Sequence, residues 1–201
     1  MESLTIYNDK IADNQVEKVV ETLKDGGIIL LPTDTLYAVA CDALNPKAIE
    51  KVCKLKGINP EKTNLSILCD DISMVSDYAK FDNYAFKLMK ENTPGPFTFL
   101  FRAASSLPRA FKGRKTVGVR IPDNESVKKI IELLGNPLLS TSIVYKDEDY
   151  GINPDLIEEE YDSRVDLMIK GEEGRLQPSA IVDCTGAQPE IIREGPLDLS
   201  I

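Results

Sequence analysis

The stretch Gly26-Gly27-Ile28-Ile29-Leu30-Leu31-Pro32-Thr33-Asp34-Thr35-Leu36-Tyr37 is an apolar run that stops at a proline and passes at once into hydroxyls, a carboxylate and a phenol. Residues 27–31 read as a turn feeding a buried strand, and a second strand follows near 36–41, so the polar residues fall where two core elements meet. Pro32 has no N–H and a fixed φ, so it cannot continue a central ladder and the chain must turn there. A polar loop carried on such a scaffold is where binding groups tend to sit. The same residues also suit an ST-turn or Asx-turn that only stabilises the bend.

The rest of the chain alternates in the same way. Helices are expected after Asp13-Asn14, from Asn45-Pro46 to Lys56-Gly57, after Asp70-Asp71, after Asp82-Asn83, near 125–134 and after Asn153-Pro154. Strands are expected near 65–69, 97–101, 116–121, 138–141, 165–169, 180–183 and 191–193. This pattern makes a layered α/β domain with a twisted mixed sheet of about seven strands or more, flanked by helices. At 201 residues with 42% hydrophobic side chains, and with no linker, low-complexity tract or repeat, residues 1–201 read as one domain.

Absent residue types narrow the chemistry. With no histidine, the Ser-His-Asp triad, the HExxH zinc site and imidazole shuttles are excluded. The cysteines Cys41, Cys53, Cys69 and Cys184 form no Cys-x-x-Cys pair and lie in apolar runs, so they read as small buried thiols; no metal site is expected. The start Met1-Glu2-Ser3-Leu4 lacks a basic stretch followed by an apolar core, no window approaches the ~18 apolar residues of a membrane span, and a cytoplasmic setting is expected.

A net charge of −9 opposes non-specific attraction to nucleic acid. Yet Arg102, Arg109, Lys112, Arg114, Lys115 and Arg120 crowd one stretch, either as a phosphate-facing wall or as a solvated loop, while an acidic run from Asp147 to Asp162 reads as solvated surface.

Six segments in order carry a resemblance: Pro32-Thr33-Asp34-Thr35-Leu36-Tyr37, Pro94-Gly95-Pro96-Phe97-Thr98, Val117-Gly118-Val119-Arg120-Ile121-Pro122, Pro137-Leu138-Leu139-Ser140-Thr141-Ser142, Ser179-Ala180-Ile181-Val182-Asp183 and Ile191-Ile192-Arg193-Glu194-Gly195. Together they resemble the YrdC/YciO family of threonylcarbamoyl-AMP synthase-like proteins over nearly the whole chain. The resemblance implies a YrdC-like sheet with a large concave surface that holds ATP with Mg²⁺, L-threonine and bicarbonate. The implied reaction joins these into threonylcarbamoyl-AMP and pyrophosphate, feeding a tRNA modification.

Two motifs depart from the synthase pattern. Where Lys-x-Arg is expected the chain has Lys56-Gly57-Ile58, and where Ser-x-Asn is expected it has Ser142-Ile143-Val144. Arginine offers a planar donor fork that isoleucine lacks. The chain therefore resembles the YciO branch.

The residues that the resemblance assigns to substrate and nucleotide are Thr33, Tyr37, Lys56, Thr98, Arg120, Ser140, Ser142, Ser179 and Arg193. Each has a plainer role open to it, since strand-end hydroxyls often satisfy nearby backbone and Tyr37 could be packing. Thr33, Lys56, Arg120 and Ser142 are expected to meet in one concavity. Double-stranded RNA binding, with Arg109, Lys112, Arg114 and Lys115 facing the RNA, is the alternative that the resemblance offers; a relic without ligand is a third.

Overall fold

The computed structural model describes residues 1–111, 115–143 and 151–200. Ten strands follow the order β1-β9-β2-β3-β8-β4-β7-β6-β10-β11 and β5 pairs with β6, so the described residues form one eleven-stranded sheet. The strands are β1 Glu2–Thr5, β2 Ile29–Leu31, β3 Ala38–Asp42, β4 Ser66–Leu68, β5 Ala79–Lys80, β6 Phe97–Ala103, β7 Thr116–Arg120, β8 Leu138–Ser142, β9 Leu167–Lys170, β10 Ala180–Asp183 and β11 Glu190–Arg193. The helices are α1 Asp13–Lys24, α2 Pro46–Lys56, α3 Ile72–Tyr78, α4 Asn83–Asn92, α5 Glu125–Leu134 and α6 Pro154–Tyr161.

The sheet is mixed, as expected: β1 and β2 run parallel to β9, β4 to β7 and β6 to β10, while β2–β3, β3–β8, β8–β4, β7–β6 and β10–β11 are antiparallel. The eleven strands exceed the expected seven or so, and β1 and β5 fall where no strand was expected. Neither β1 nor β5 carries an apolar alternation: β1 is exposed at three of four positions and β5 is two residues long.

Most helix ends follow their side chains. Asn45 Oδ1 accepts the amides of Lys47 and Ala48, Asp71 that of Met74, Asp82 that of Ala85, and Asn124 that of Val127. Helix α1 differs, because Ala12 is its N-cap and Gln15 Oε1 accepts the Ala12 N–H at 3.1 Å. Asp13 lies inside the first turn, where a carboxylate complements the positive end of the helix.

Successive strand residues point to opposite faces, and two cores result. Leu30, Val39, Ile67, Val119 and the row Phe97, Phe99 and Phe101 pack with α2, α3, α4 and α6. Ile29, Leu31, Ala40, Leu68 and Leu138 pack with α1 and α5 on the other face. Those two helices cover only part of that second face. Continuing along it by period two, Ser140, Ser66, Gly118 and Thr98 are small or polar and lie beyond the helical cover. Gly118 sits between Ser66 and Thr98 so closely that a Cβ there would lie 2.4 Å from Ser66 Oγ.

At the far edge, β11 folds back on β10 with a register shift between Ile181 and Val182. Gly195 then passes so near β10 that an added Cβ would lie 2.3 Å from Ala180 N and 2.9 Å from Ala180 Cα. Backbone cannot swing aside as a side-chain tip can. Gly195→Ala is therefore expected to cost about 1–3 kcal/mol of stability, the scale of overpacking. Urea denaturation measures it, and an unchanged midpoint would show that the chain end is not pinned there.

Candidate functional site

The open part of the second sheet face forms a cavity of about 390 Å³. Its floor is the row of small residues on β8, β4, β7 and β6. Its rim is cationic. Helix α2 ends at Gly57, whose left-handed φ of 63° turns the chain so that Ile58 N–H donates to Cys53 O at 3.0 Å. This turn brings both Lys56 and Ile58 to the cavity wall. Lys56 Nζ donates to the carbonyl of Ser142, at the end of β8, over 2.6 Å. Burial, with a smaller push from the charge of Arg164, lowers the Lys56 ammonium to about 8.

Arg120 ends β7, and its side chain is ion-paired with Asp34 of the loop after β2. Both are buried, their side chains 9% and 7% exposed. One atom of each lacks a partner: Arg120 Nε and Asp34 Oδ2. Burial lowers the Arg120 pKa, Asp34 opposes that shift, and the nearby Arg193 adds to it. Arg193 in turn grips the carbonyl of Ser179 with Nε at 3.0 Å and Nη2 at 2.8 Å. The Ser179 hydroxyl lies 2.9 Å from Thr98 Oγ1.

Lys56, Arg120 and Arg193 thus line one cavity, and no carboxylate among its described lining residues faces them. Arg120 has Asp34 behind it, whereas Lys56 and Arg193 are partly desolvated with no carboxylate in the described lining, a cost that an anionic ligand would relieve. Arg120 and Arg193 offer planar forks suited to carboxylate or phosphate, and Lys56 offers a point charge.

Of the nine residues expected to hold substrate and nucleotide, Lys56, Thr98, Arg120, Ser140, Ser142, Ser179 and Arg193 line this cavity. Thr33 does not. Its hydroxyl donates to Leu36 O at 2.8 Å and accepts Thr35 N–H at 3.1 Å, the local turn bonding that a threonine in such a loop makes readily, and it lines a neighbouring cavity. The expected meeting of four residues is therefore a meeting of three. Tyr37 lies within the larger core, fully buried, with its hydroxyl donating to Glu172 O and accepting Gly171 N–H, each at 3.0 Å. Burial pushes its phenol up to about 12. It anchors the loop after β9 and does not reach the cavity.

Arg109 lies in a short 3₁₀ turn and Lys115 precedes β7; neither lines the cationic cavity. Lys112 and Arg114 lie outside the described residues, as does Val144 of the altered Ser-x-Asn triplet. Sequence reasoning missed Ser66 and Asn64, which also line the cavity. Ser66 stands in the apolar run Leu65-Ser66-Ile67-Leu68, and a small hydroxyl there was the available signal. Asn64 Oδ1 accepts the Thr116 hydroxyl at 3.0 Å, a contact that only the fold creates. The thiols follow expectation: Cys41, Cys53 and Cys69 are buried, Cys184 is half-buried, and none is bridged. No helix among the described residues is long and apolar enough to cross a membrane.

Known proteins align with this architecture. The family model Sua5/yciO/yrdC, described as "Telomere recombination", matches residues 21–195. The uncharacterized protein YciO of Escherichia coli is 34% identical over 96% of this chain and 95% of its own length, and its crystal structure superposes with a TM-score of 0.90 over 98% of both chains. A threonylcarbamoyl-AMP synthase of Vibrio campbellii is 29% identical over 89% of this chain and 98% of its own. P. abyssi Sua5 complexed with L-threonine shares the fold, with a TM-score of 0.89 and 24% identity over 98% of this chain and 58% of that one. A profile match across most of the sequence and a relative 34% identical along nearly its whole length place the chain in the Sua5/YciO/YrdC family.

Proposed function

We propose that the cationic cavity binds ATP, carried with Mg²⁺, and that the protein is an enzyme of the threonylcarbamoyl-AMP synthase type. The observation that carries this reading is the convergence of Lys56, Arg120 and Arg193 on one carboxylate-free cavity in a chain of net charge −9. The family relationship and the 29% identical relative that bears the synthase name support it.

In this reading the threonine amine takes up bicarbonate with loss of water, giving a carbamate. One carbamate oxygen then attacks the α-phosphorus of ATP, the bond to the β-phosphate bridge breaks, and pyrophosphate leaves. Two anions must approach, so the protein's work is positioning and charge neutralisation, and no histidine is required. Lys56 serves the polyphosphate, Arg120 and Arg193 the carboxylate or phosphate that lies between them, and Ser140, Ser142, Ser179 and Thr98 supply neutral donors and acceptors. In this reading Mg²⁺ enters on the phosphate oxygens as part of the substrate. The arginine missing at Ile58 is a cavity-wall position, so its loss bears on nucleotide affinity directly.

Pyrophosphate release is expected only when ATP, L-threonine and bicarbonate are all present; release independent of threonine would contradict the assignment. In calorimetric titration with MgATP, Lys56→Ala is expected to weaken binding about ten- to a hundredfold, the loss of one charge-assisted contact. Ile58→Arg is expected to tighten it by a similar factor, provided the melting temperature shows that the half-buried site accepts the charge.

The ammonium of Lys56 adds a pH signature. An incoming phosphate favours the charged form and lifts its pKa back toward the ordinary 10.5. Between about 8 and 10.5 the bound protein therefore carries more protons than the free one, so binding takes up protons and affinity falls as pH rises. Well below 8 the lysine is already charged and no uptake occurs. Titration in buffers of different ionisation enthalpy reads the uptake directly, and its persistence in Lys56→Ala would assign it elsewhere.

A further inference from the structure

The sheet ends at β11, and among the described residues no strand pairs with its outer side. All four of its residues, Glu190-Ile191-Ile192-Arg193, are exposed. The chain that follows runs elsewhere: Gly195 crosses back against Ala180 of β10, and Ser200 is held at α4, its N–H donating to Asn92 Oδ1 and its carbonyl accepting from Asn92 Nδ2, each at 2.8 Å. An uncovered edge of backbone N–H and C=O groups is a template for another strand.

The bulge decides which side chains such a strand would meet. Glu190 lies opposite Asp183, Ile191 opposite Val182 and Arg193 opposite Ile181, so Ile192 is the extra residue. Cross-strand partners share a face of the sheet. Ile181 lines the cationic cavity, and Asp183, two residues on, lies on the same face. Glu190 and Arg193 therefore share that face although they are three apart in sequence; without the bulge they would oppose one another. Val182 belongs to the larger core, which puts Ile191 on the other face, 42% exposed, with Ile192 beside it 53% exposed.

This short strand is its own complement. In an antiparallel pair of two β11 strands with the two-fold axis between Ile191 and Ile192, Glu190 of one copy stands opposite Arg193 of the other, and the isoleucines meet across the axis. Opposite charges directly across an antiparallel pair stabilise it and like charges destabilise it. Arg193 holds Ser179 with Nε and Nη2, so Nη1 is the donor left for that carboxylate. The other sheet edge lacks this symmetry. In β1, Glu2-Ser3-Leu4-Thr5, the same operation sets Glu2 against Thr5, and Glu2 is already paired with Lys18. We propose that β11 is the interface of a symmetric homodimer in which two copies join their sheets edge to edge, each placing its Glu190 beside the other's Arg193 at the rim of the cationic cavity. Four residues a side fall far below the roughly 20–30 of a standard interface, so the association is weak and transient.

Sedimentation equilibrium of the intact protein tests this. A monomer–dimer equilibrium is expected between about 10 µM and 1 mM, the range of a small interface. Glu190→Arg sets like charges opposite one another at two symmetric places and is expected to weaken dimerisation about tenfold. Bulk charge predicts the reverse, because this substitution brings the net charge of −9 closer to zero and eases repulsion between copies. Glu2→Arg makes the same change of charge at the opposite edge and is expected to leave the dimer no weaker. Ile192→Lys, which removes exposed hydrocarbon at the axis, gives a second reading in the same direction as Glu190→Arg. Both β11 positions are exposed, and an unchanged melting temperature shows that each variant is folded. A protein monomeric throughout the range, or a dimer as tight in the two β11 variants as in the parent, would overturn the proposal. Equal weakening by Glu2→Arg would also overturn it, as would association that grows past the dimer, which a closed two-fold contact does not allow. No nucleotide is present, so the outcome stands apart from that of the ATP titration.

Discussion

A guanidinium can stay in a nearly dry place only if a carboxylate faces it, and the Arg120–Asp34 pair meets that need at the end of β7. Each partner is buried enough that removing one would leave the other as an uncompensated charge. The pair also does geometric work. It ties the loop after β2 to a strand four places away in the sheet order, at the wall of the cationic cavity. Coulomb's law at short range and low dielectric makes such a wall sensitive to what binds beside it, since an anion near Arg120 competes with the pair itself.

The sheet supplies the space. Small side chains at Ser140, Ser66 and Thr98, with Gly118 between the last two, leave a floor over which no described helix packs, whereas two residues further along β8 and β4 Leu138 and Leu68 meet α1 and α5. The same face of one sheet is thus core at one end and binding surface at the other, decided by side-chain size and polarity. The left-handed cap at Gly57 matters for the same reason: it returns the chain after α2 so that a lysine and the following isoleucine meet that floor. At position 58 the wall is hydrocarbon, an isoleucine side chain.

Much of this was legible before any fold was known. The apolar runs and the Asx-type caps at Asn45, Asp71, Asp82 and Asn153 marked the elements, because capping and periodicity are local properties. That seven of the nine expected residues would line one cavity was legible only through the family resemblance, which stores the non-local arrangement that a single sequence does not. Thr33 and Tyr37 show the boundary. Both sit in the most informative segment, yet whether a hydroxyl faces a ligand or its own backbone depends on a turn geometry that the residue type does not determine. The tyrosine's partners lie 134 and 135 residues away. The short strands β1 and β5 escaped because their order comes from pairing with neighbours, not from their own pattern. Ser66 and Asn64 escaped because they reach the cavity only through strand order.

The central claim is that the three cations form a phosphate site on the open sheet face. A crystal structure grown with a non-hydrolysable ATP analogue and Mg²⁺ tests it most directly. The account predicts phosphate oxygens within about 3 Å of Lys56 Nζ and of at least one of the Arg120 and Arg193 guanidiniums, with Lys56 drawn off the Ser142 carbonyl. Nucleotide bound elsewhere, for example along Arg109 and Lys115 or over Lys51 and Lys54, with Lys56 still on Ser142, would contradict it.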